Sequence, residues 1–323
     1  AQGKLGDDVR NHHVKETVNY VKRETYTESE KFGGPKHLLA CENGVLNLET
    51  YELEDHDPAH LMLAKIPVEY DPDADPAEIE NFVSEIVHED DIPLLQELAG
   101  YCLWKDYPIA KAVMFLGEGA NGKSTFINLL EAMLGNKNTA NVALQKLCYN
   151  DFAKISLRGK LANICADLSS KELKDTKTFK LATGGDTIEG EKKHVQKKIP
   201  FKNHAKMVYS ANKLPKTGDM SDAYFRRWLV IDFPHKFTDN PNDGHKDKNP
   251  NILDKLTTDE NLSAMLNWAL EGLERLLENG EFSQSATMDE IKNKWIAKSD
   301  SLQYFIDKCV EIDFDSHVTK KDF

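Results

Sequence analysis

The stretch Gly117 to Thr125 reads GEGANGKST. It fits G-x-x-x-x-G-K-[ST], a spacing suited to cradling phosphate. Glycines let the backbone fold back so that successive N–H groups face inward. A helix that begins at the end of the loop adds its positive N-terminal end. On this reading Gly117, Glu118, Gly119, Ala120, Asn121, Gly122, Lys123, Ser124 and Thr125 bind ATP. Lys123 brings charge to the terminal phosphates, and the Ser124 hydroxyl is a ligand for Mg²⁺. A chance match arises on the order of once in a hundred chains of this length. Here an apolar run, Ala112 to Leu116, precedes the loop, and an amphipathic stretch, Ser124 to Leu134, follows it. The motif alone leaves a kinase, a GTPase and a mechanical ATPase open.

A mechanical ATPase needs further groups, and the chain offers candidates. LANICADL ends an apolar run at Asp167, whose carboxylate is placed to hold the metal directly or through water. The plainer alternative is a helix cap or a surface acid. KMVYSANKLP is a buried-strand pattern that ends in Asn212. An amide there can donate to phosphate and accept from water, although an asparagine before Pro215 also suits a simple turn. YFRRWLVIDF sets Arg226 and Arg227 just before another apolar run. Either arginine could reach a neighbouring subunit's nucleotide as a finger; surface ion pairs are the ordinary alternative.

These groups need a scaffold. Apolar runs at Ala112 to Leu116, Leu161 to Ala166, Lys206 to Ser210 and Trp228 to Phe233 read as buried strands. Interleaved with helical patterns, they predict a parallel sheet covered on both faces. Around Leu38 to Glu52 the alternation predicts a hairpin with Asn43-Gly44 at its turn. Pro76 to Leu103 has helical apolar spacing. Weak helical patterning surrounds Val14 to Val21. The pair His12 and His13 has no third ligand nearby, so metal binding is not expected there. After Pro234 an Asn-, Asp-, Pro- and Gly-rich loop runs to about Asn251 and suggests a boundary. Leu262 to Leu277 then mark a long helix ended by Gly280, with shorter helices around Trp295 and over Leu302 to Val310.

The expected organisation is an N-terminal region over 1–104, mostly helical with a small hairpin, a core over 105–236 and a helical region over 237–323. At 323 residues, more than one domain is the prior. The chain opens on Ala1 in mid-pattern, which suggests a piece of a longer polypeptide. No run of about 18 apolar residues is present, so no membrane partner is expected. The five cysteines are scattered without a CxxC pair, which argues against structural zinc and a disulfide framework. A reducing, cytoplasmic setting follows, in a prokaryotic or infected host cell.

Net charge is −13, which taken whole speaks against a nucleic-acid partner. The distribution reverses that. Between Lys171 and Lys216 stand twelve lysines against five acids. A basic element on an acidic body suits a protein that grips a polyanion in one place.

The order of these pieces resembles superfamily 3 helicases, in particular the primase-helicases of phages, plasmids and poxvirus-like viruses. ENGVLNLET and IPVEYDPDADP are similar to the family's N-terminal helicase-associated domain, and LLQELAGYCLW to the segment before its cradle. GEGANGKST resembles Walker A, GKLANICADLS Walker B, FKLATGGDTIEGEKKH the B′ motif and MVYSANKLP motif C. FRRWLVIDF resembles the arginine-finger strand. The resemblance runs from about Leu38 to Phe233. It implies an α/β, AAA+-type P-loop core that assembles into a ring, a hexamer by analogy, around single-stranded or forked DNA. It assigns Lys123 and Ser124 to Walker A, Asp167 to Walker B, Asn212 to the sensor and Arg227, ahead of Arg226, to the finger. The B′ residues Lys192, Lys193, His194, Lys197 and Lys198 would contact DNA from a hairpin. Lysines suit that task because they grip phosphate without reading sequence.

Two departures matter. Ala166 stands where many members carry a second acid, so no water-activating base is assigned. An upstream primase or polymerase domain and a winged helix, which relatives often carry, are not within this sequence. The function expected is an ATP-dependent replicative DNA helicase. A nucleotide-gated loader with little turnover and a P-loop small-molecule kinase are the alternatives.

Overall fold

The computed structural model describes residues 10–27, 32–192, 197–239, 244–284 and 286–299, with Leu302 and Phe305. Helix α1 (Asn11–Glu24) buries none of its residues. Three short strands follow, β1 (Leu38–Ala40), β2 (Val45–Asn47) and β3 (Leu53–Glu54), in one antiparallel sheet. Gly44 closes the first turn because no side chain fits: a Cβ there would lie 2.5 Å from the Glu54 carbonyl oxygen. The Asn43 amide is exchanged with the backbone of Tyr70, donating and accepting at 2.9 Å. The Pro76 to Leu103 stretch forms two helices, α2 (Ala77–Ile86) and α3 (Ile92–Leu103), parted by a single tight turn at Glu89–Asp91.

The central part alternates as expected. It contains β4 (Ala112–Leu116), α4 (Lys123–Leu134), β5 (Thr139–Ala140), α5 (Leu144–Tyr149), α6 (Asp151–Lys154) and β6 (Ala162–Cys165). It continues with α7 (Lys177–Thr183), the antiparallel pair β7 (Thr187–Gly190) and β8 (Ile199–Lys202), β9 (Lys206–Ala211), α8 (Asp222–Phe225) and β10 (Trp228–Asp232). Then come β11 (Phe237–Thr238), β12 (Lys246–Asp247), α9 (Ile252–Leu256), α10 (Asp259–Asn279) and α11 (Met288–Ser299).

Five strands form one parallel sheet in the order β10-β4-β9-β6-β5. Every residue of β4 and β9 is buried, as a central strand covered on both faces requires. The alternation of the strands divides the core in two. Val113, Phe115, Val208, Leu229 and Ile231 join one cluster, roofed by α2, α3, α4 and α10. Met114, Leu116, Met207, Tyr209 and Trp228 join the other, beneath α5, α7, α8 and α11. The protein is thus mixed α/β, with helices on both faces of a parallel sheet.

Residues from the stretches 1–104, 105–236 and 237–323 all enter the first cluster. The joint is α10 lying on α3. Two glycines permit the approach: a Cβ on Gly100 would fall 2.1 Å from the Ala269 carbonyl oxygen, and one on Gly272 would fall 2.3 Å from that of Gln96. Glu97, fully buried on α3, accepts from Arg275 Nε at 2.8 Å and from the Ser283 backbone at 2.8 Å. A buried carboxylate needs such partners to offset desolvation. Helix α10 carries its own signals: the Thr258 hydroxyl accepts from Asn261 N–H, and Gly280 ends it at φ +69°.

Among the described residues no helix is long and apolar enough to cross a membrane. No group of three or more His, Cys, Asp or Glu among them could hold a metal. The expected Leu302 to Val310 helix lies, apart from Leu302 and Phe305, outside the described residues.

Candidate functional site

The glycine loop, Asp167, Asn212 and the two arginines fall on two opposite edges of the parallel sheet. β4 ends at Leu116, and Gly117 opens the glycine loop, its N–H donating to the Ala211 carbonyl at 3.3 Å. The loop folds back as the sequence requires: φ is +103° at Gly119, +50° at Ala120 and +88° at Gly122. The strained residue is Ala120, and the Phe237 N–H holds its carbonyl at 2.7 Å. α4 then starts at Lys123. The Lys123 ammonium is buried and donates to the Gly117 carbonyl at 2.6 Å and to Asn121 Oδ1 at 3.1 Å. Burial lowers its pKa from the ordinary lysine value. Asn121 is itself buried and donates to the Phe233 carbonyl at 3.4 Å. It thus ties the loop to the end of β10 and presents its oxygen to the lysine. A Cβ on Gly117 would strike Asn121 Nδ2 at 2.1 Å. Glu118 and Ser124 are exposed, and Thr125 is half-buried. A backbone turned inward at a helix start, with a lysine sunk beside it, is suited to an anion.

Two neighbours end at the same level. β9 pairs with β4 through Leu116 and Ala211, so Asn212 follows at the level of Gly117. β6 pairs with β9 through Cys165 and Tyr209, and the Leu168 N–H donates to the Ser210 carbonyl at 2.8 Å. Asp167 therefore stands beside the end of β9. Both Asp167 and Asn212 are exposed. The loop, the acid and the amide come from three adjacent strands and share one edge. Ser124 and Asp167 each present an exposed oxygen there that a hard cation could meet. That donor set suits Mg²⁺, which takes one or two protein oxygens and fills its remaining positions from phosphate and water.

Arg226 and Arg227 lie at the other edge. They precede β10, which runs parallel to β4, and the Arg227 carbonyl accepts from the Ala112 N–H at the start of β4. The five residues of β10 span about 16 Å, so neither guanidinium belongs with the glycine loop of its own chain. Their states differ. Arg226 is exposed, whereas Arg227 is half-buried and its Nη1 donates back to the Ala223 carbonyl. Burial, and then the charge of Arg226, lower the Arg227 pKa, while Asp186 opposes them. The resemblance ranks Arg227 first, but exposure makes Arg226 the one ready to meet another molecule.

The B′ segment is an antiparallel hairpin, with Gly190 paired to Ile199. Its tip carries Lys192 and Lys197, both exposed. Lys193 and His194 lie outside the described residues. Lys198 is exposed but engaged: its ammonium meets Asp151 at 3.0 Å, a contact that raises its pKa. Asp151 also accepts from Lys154 at 2.6 Å, and its pKa is lowered, first by that bond and then by Lys198. The Asp151 carbonyl takes the Glu191 N–H at 3.0 Å. Helix α6 thereby holds the hairpin just below its tip.

Sequence reasoning passed over two residues here. Phe152, next to that clamp on α6, is 48% exposed, an apolar ring open to solvent beside a lysine hairpin. Its signal, a phenylalanine between Asp151 and Lys154 in a polar helix, was present but unremarkable. Lys206 was counted in the basic window yet is fully buried. Its ammonium donates to the carbonyls of Trp104, Asp106 and His204 at 2.5, 2.8 and 2.9 Å and lies 4.3 Å from the Tyr101 ring centre. Burial pushes it down to about 7, while three acceptors and the ring favour the charged form. Lys180 is also committed, to Asp219 at 2.9 Å. The surface of this window is less basic than its composition.

The fold and the site define a mixed α/β protein whose glycine loop, acid and amide meet at the carboxyl edge of a parallel sheet. Two family profiles match parts of the chain. One, described as "D5 N terminal like", matches residues 4–88. The other, described as "Family of unknown function (DUF5906)", matches residues 115–227, a range that holds the whole glycine loop, Asp167, the hairpin, Asn212 and both arginines. Among curated proteins none matches significantly. Among solved structures, the A form apo structure of the NrS-1 C terminal region shares the fold at a TM-score of 0.52 and 15% identity, over 95% of this chain and 75% of that one. A second apo structure of the NrS-1 C terminal region (305–718) aligns at 0.52 and 16%, over 91% and 67%.

Proposed function

We propose that this chain is the motor part of an ATP-driven DNA helicase of the superfamily 3 type, built on an AAA+-like P-loop core and working as a hexameric ring. A relation to phage-type primase-helicases in DNA replication is supported by the D5 N terminal like match and by the fold shared with the NrS-1 C terminal region. One observation carries the finer reading: the candidate groups are divided between opposite edges of a single parallel sheet. A single copy cannot bring its arginines to its own glycine loop. A second copy set edge to edge can.

In this reading ATP lies at the seam between copies, its phosphates on Gly117 to Thr125 of one. Lys123 neutralises the terminal phosphate, and Asn212 orients the attacking water and senses the γ-phosphate. Arg226 or Arg227 of the adjoining copy meets the charge that develops in transfer. Ser124 and Asp167 hold Mg²⁺, which supplies positive charge to the phosphate oxygens. The hairpin lysines grip single-stranded DNA by its phosphates, and Phe152 stacks on a base. An upstream primase or polymerase domain is the expected partner. The buried free thiols Cys41, Cys102, Cys148 and Cys165 fit a reducing, cytoplasmic setting.

Ala166, exposed beside Asp167 where a second acid would stand, favours one other reading: a nucleotide-gated loader with little turnover. An ATPase assay with and without single-stranded DNA, on protein of measured solution mass, decides. The helicase reading expects a DNA-stimulated rate from an oligomer. ATP and DNA binding without turnover would leave the loader, and a DNA-indifferent monomeric enzyme would leave a kinase.

A further inference from the structure

Asp219 is not among the groups at the glycine loop, yet donors from two separate helix starts meet on its carboxylate. Oδ1 accepts from the Ser221 N–H at 3.0 Å and from the Ser221 hydroxyl. Oδ2 accepts from the Thr176 hydroxyl and from Lys180 Nζ at 2.9 Å. Thr176 is buried and immediately precedes α7, Lys180 stands within α7, and Ser221 immediately precedes α8. One oxygen therefore serves α7 and the other serves α8. Burial opposes the charge, but the bonds from Ser221, Thr176 and Lys180 outweigh it and hold the carboxyl well below the usual carboxylate range.

Each helix leads directly to a candidate functional group. α7 ends at Thr183 and β7 begins at Thr187, so only Gly184, Gly185 and Asp186 part the helix from the lysine hairpin. α8 ends at Phe225, and Arg226 and Arg227 follow at once. The loop that carries Asp219 leaves β9 after Asn212 and is fixed on two sides. The Leu173 N–H donates to its Lys216 carbonyl at 2.7 Å, and Trp295 Nε1 of α11 donates to its Pro215 carbonyl at 2.8 Å. Apolar contacts join the same elements: Phe179 of α7 stacks on Trp228 of β10 at 4.6 Å between ring centres and meets Tyr224 of α8 at 5.5 Å. Such contacts hold helices together without direction. A carboxylate with directed donors on both sides also fixes how they are set against each other.

We propose that Asp219 is a positioning residue that couples the hairpin to the arginines, by making α7 and α8 move as one body. DNA seated on the hairpin then sets the place of Arg226 and Arg227 at the neighbouring copy's nucleotide. The proposal rests on the helicase reading of the hairpin and the arginines. In it the Asp219 carboxylate touches neither phosphate nor DNA and acts only through the two elements it joins.

The ratio of ATPase rates with and without saturating single-stranded DNA reads the coupling on the whole chain. Fluorescence anisotropy reads oligonucleotide affinity beside it. Asp219→Asn keeps the shape of the side chain and removes its charge. It is expected to lower the ratio by about fivefold or more, the lower end of coupling between distinct sites. The oligonucleotide Kd is expected to stay within about twofold, as for a change away from the bound strand. Lys180→Met should act alike, and the double variant should be no worse than the weaker single one, because both remove the same bridge. Lys180→Arg, which returns a cation to Oδ2, should keep the wild-type ratio within about twofold. An unchanged ratio in Asp219→Asn, a matching loss of oligonucleotide affinity, or effects of the two single variants that simply add each overturns the coupling. So does an equal fall of the rates with and without DNA, which is what a merely structural carboxylate gives. If thermal melting finds Asp219→Asn unfolded, Lys180→Met, which leaves the carboxylate its Thr176 and Ser221 bonds, decides by the same criteria. A wild type whose rate ignores DNA sinks the helicase reading and the coupling with it. A stimulated wild type beside an equally stimulated Asp219→Asn removes only the coupling.

Discussion

Lys123 shows how a single side chain is prepared by its surroundings. The Gly117 carbonyl and the Asn121 amide oxygen hold its ammonium at the loop, so little side-chain entropy remains to be lost when phosphate arrives. Lys123→Ala is expected to reduce ATP hydrolysis by about 100-fold or more, the usual loss on removing one preorganised donor to transition-state charge. A wild-type rate from the folded variant would contradict the site assignment. His204 offers a second test at this scale. Burial first, and then the charges of Lys206 and Lys105, push it down from 6.5 to about 4 against the opposing pull of Asp106. Between those values the unfolded chain binds a proton that the folded chain refuses, so stability falls as pH falls. The melting temperature is expected to drop from pH 6.5 to pH 4, with a shallower slope in His204→Gln. An equal slope in both proteins would assign the acid sensitivity elsewhere.

Among the elements, α3 and α10 make the tightest joint. Because the Gly272 hydrogen faces the backbone of α3, Gly272→Ala cannot be absorbed by a rotamer change. It is expected to cost about 3 kcal/mol, the upper part of the overpacking range, and several degrees of Tm. Gly280→Ala is the control. Nothing lies within 4 Å of its Cβ, so only the left-handed φ is penalised, by about 1 kcal/mol. Equal melting of the two variants would remove close approach as the reason for Gly272. The clamp of α6 on the hairpin makes a functional prediction. Phe152→Ala should weaken single-stranded DNA binding by about 1–3 kcal/mol, the value of one stacked base, and leave ATPase without DNA unchanged. Fluorescence anisotropy with a labelled oligonucleotide reads this, and unaltered affinity would remove Phe152 from the interface.

For the whole molecule, the opposed edges of the sheet predict sharing of sites between copies. Lys123→Ala and the double variant Arg226→Ala with Arg227→Ala should each be inactive alone, since loss of a finger costs about 10³-fold or more. Mixed, they should regain measurable ATPase, because some seams then pair an intact loop with intact arginines. Absence of any recovery, with mixed oligomers demonstrated by mass, would place the complete site within one chain.

The glycine loop, the strand runs and the glycine stop of α10 were legible in the sequence because each is a local rule. A turn needs positive φ, a covered strand needs an unbroken apolar run, and a helix needs a cap. The hairpin of β7 and β8 was expected from the family resemblance alone, not from a local rule. What the sequence could not state was adjacency. That Asp167 and Asn212 flank the loop follows from the placement of β9 between β4 and β6, a choice made by packing across some hundred residues. Burial of Lys206 and exposure of Phe152 have the same origin. A side chain's charge and ring are fixed by its type, but whether they meet solvent, carbonyl or another wall is decided only when distant segments close one core.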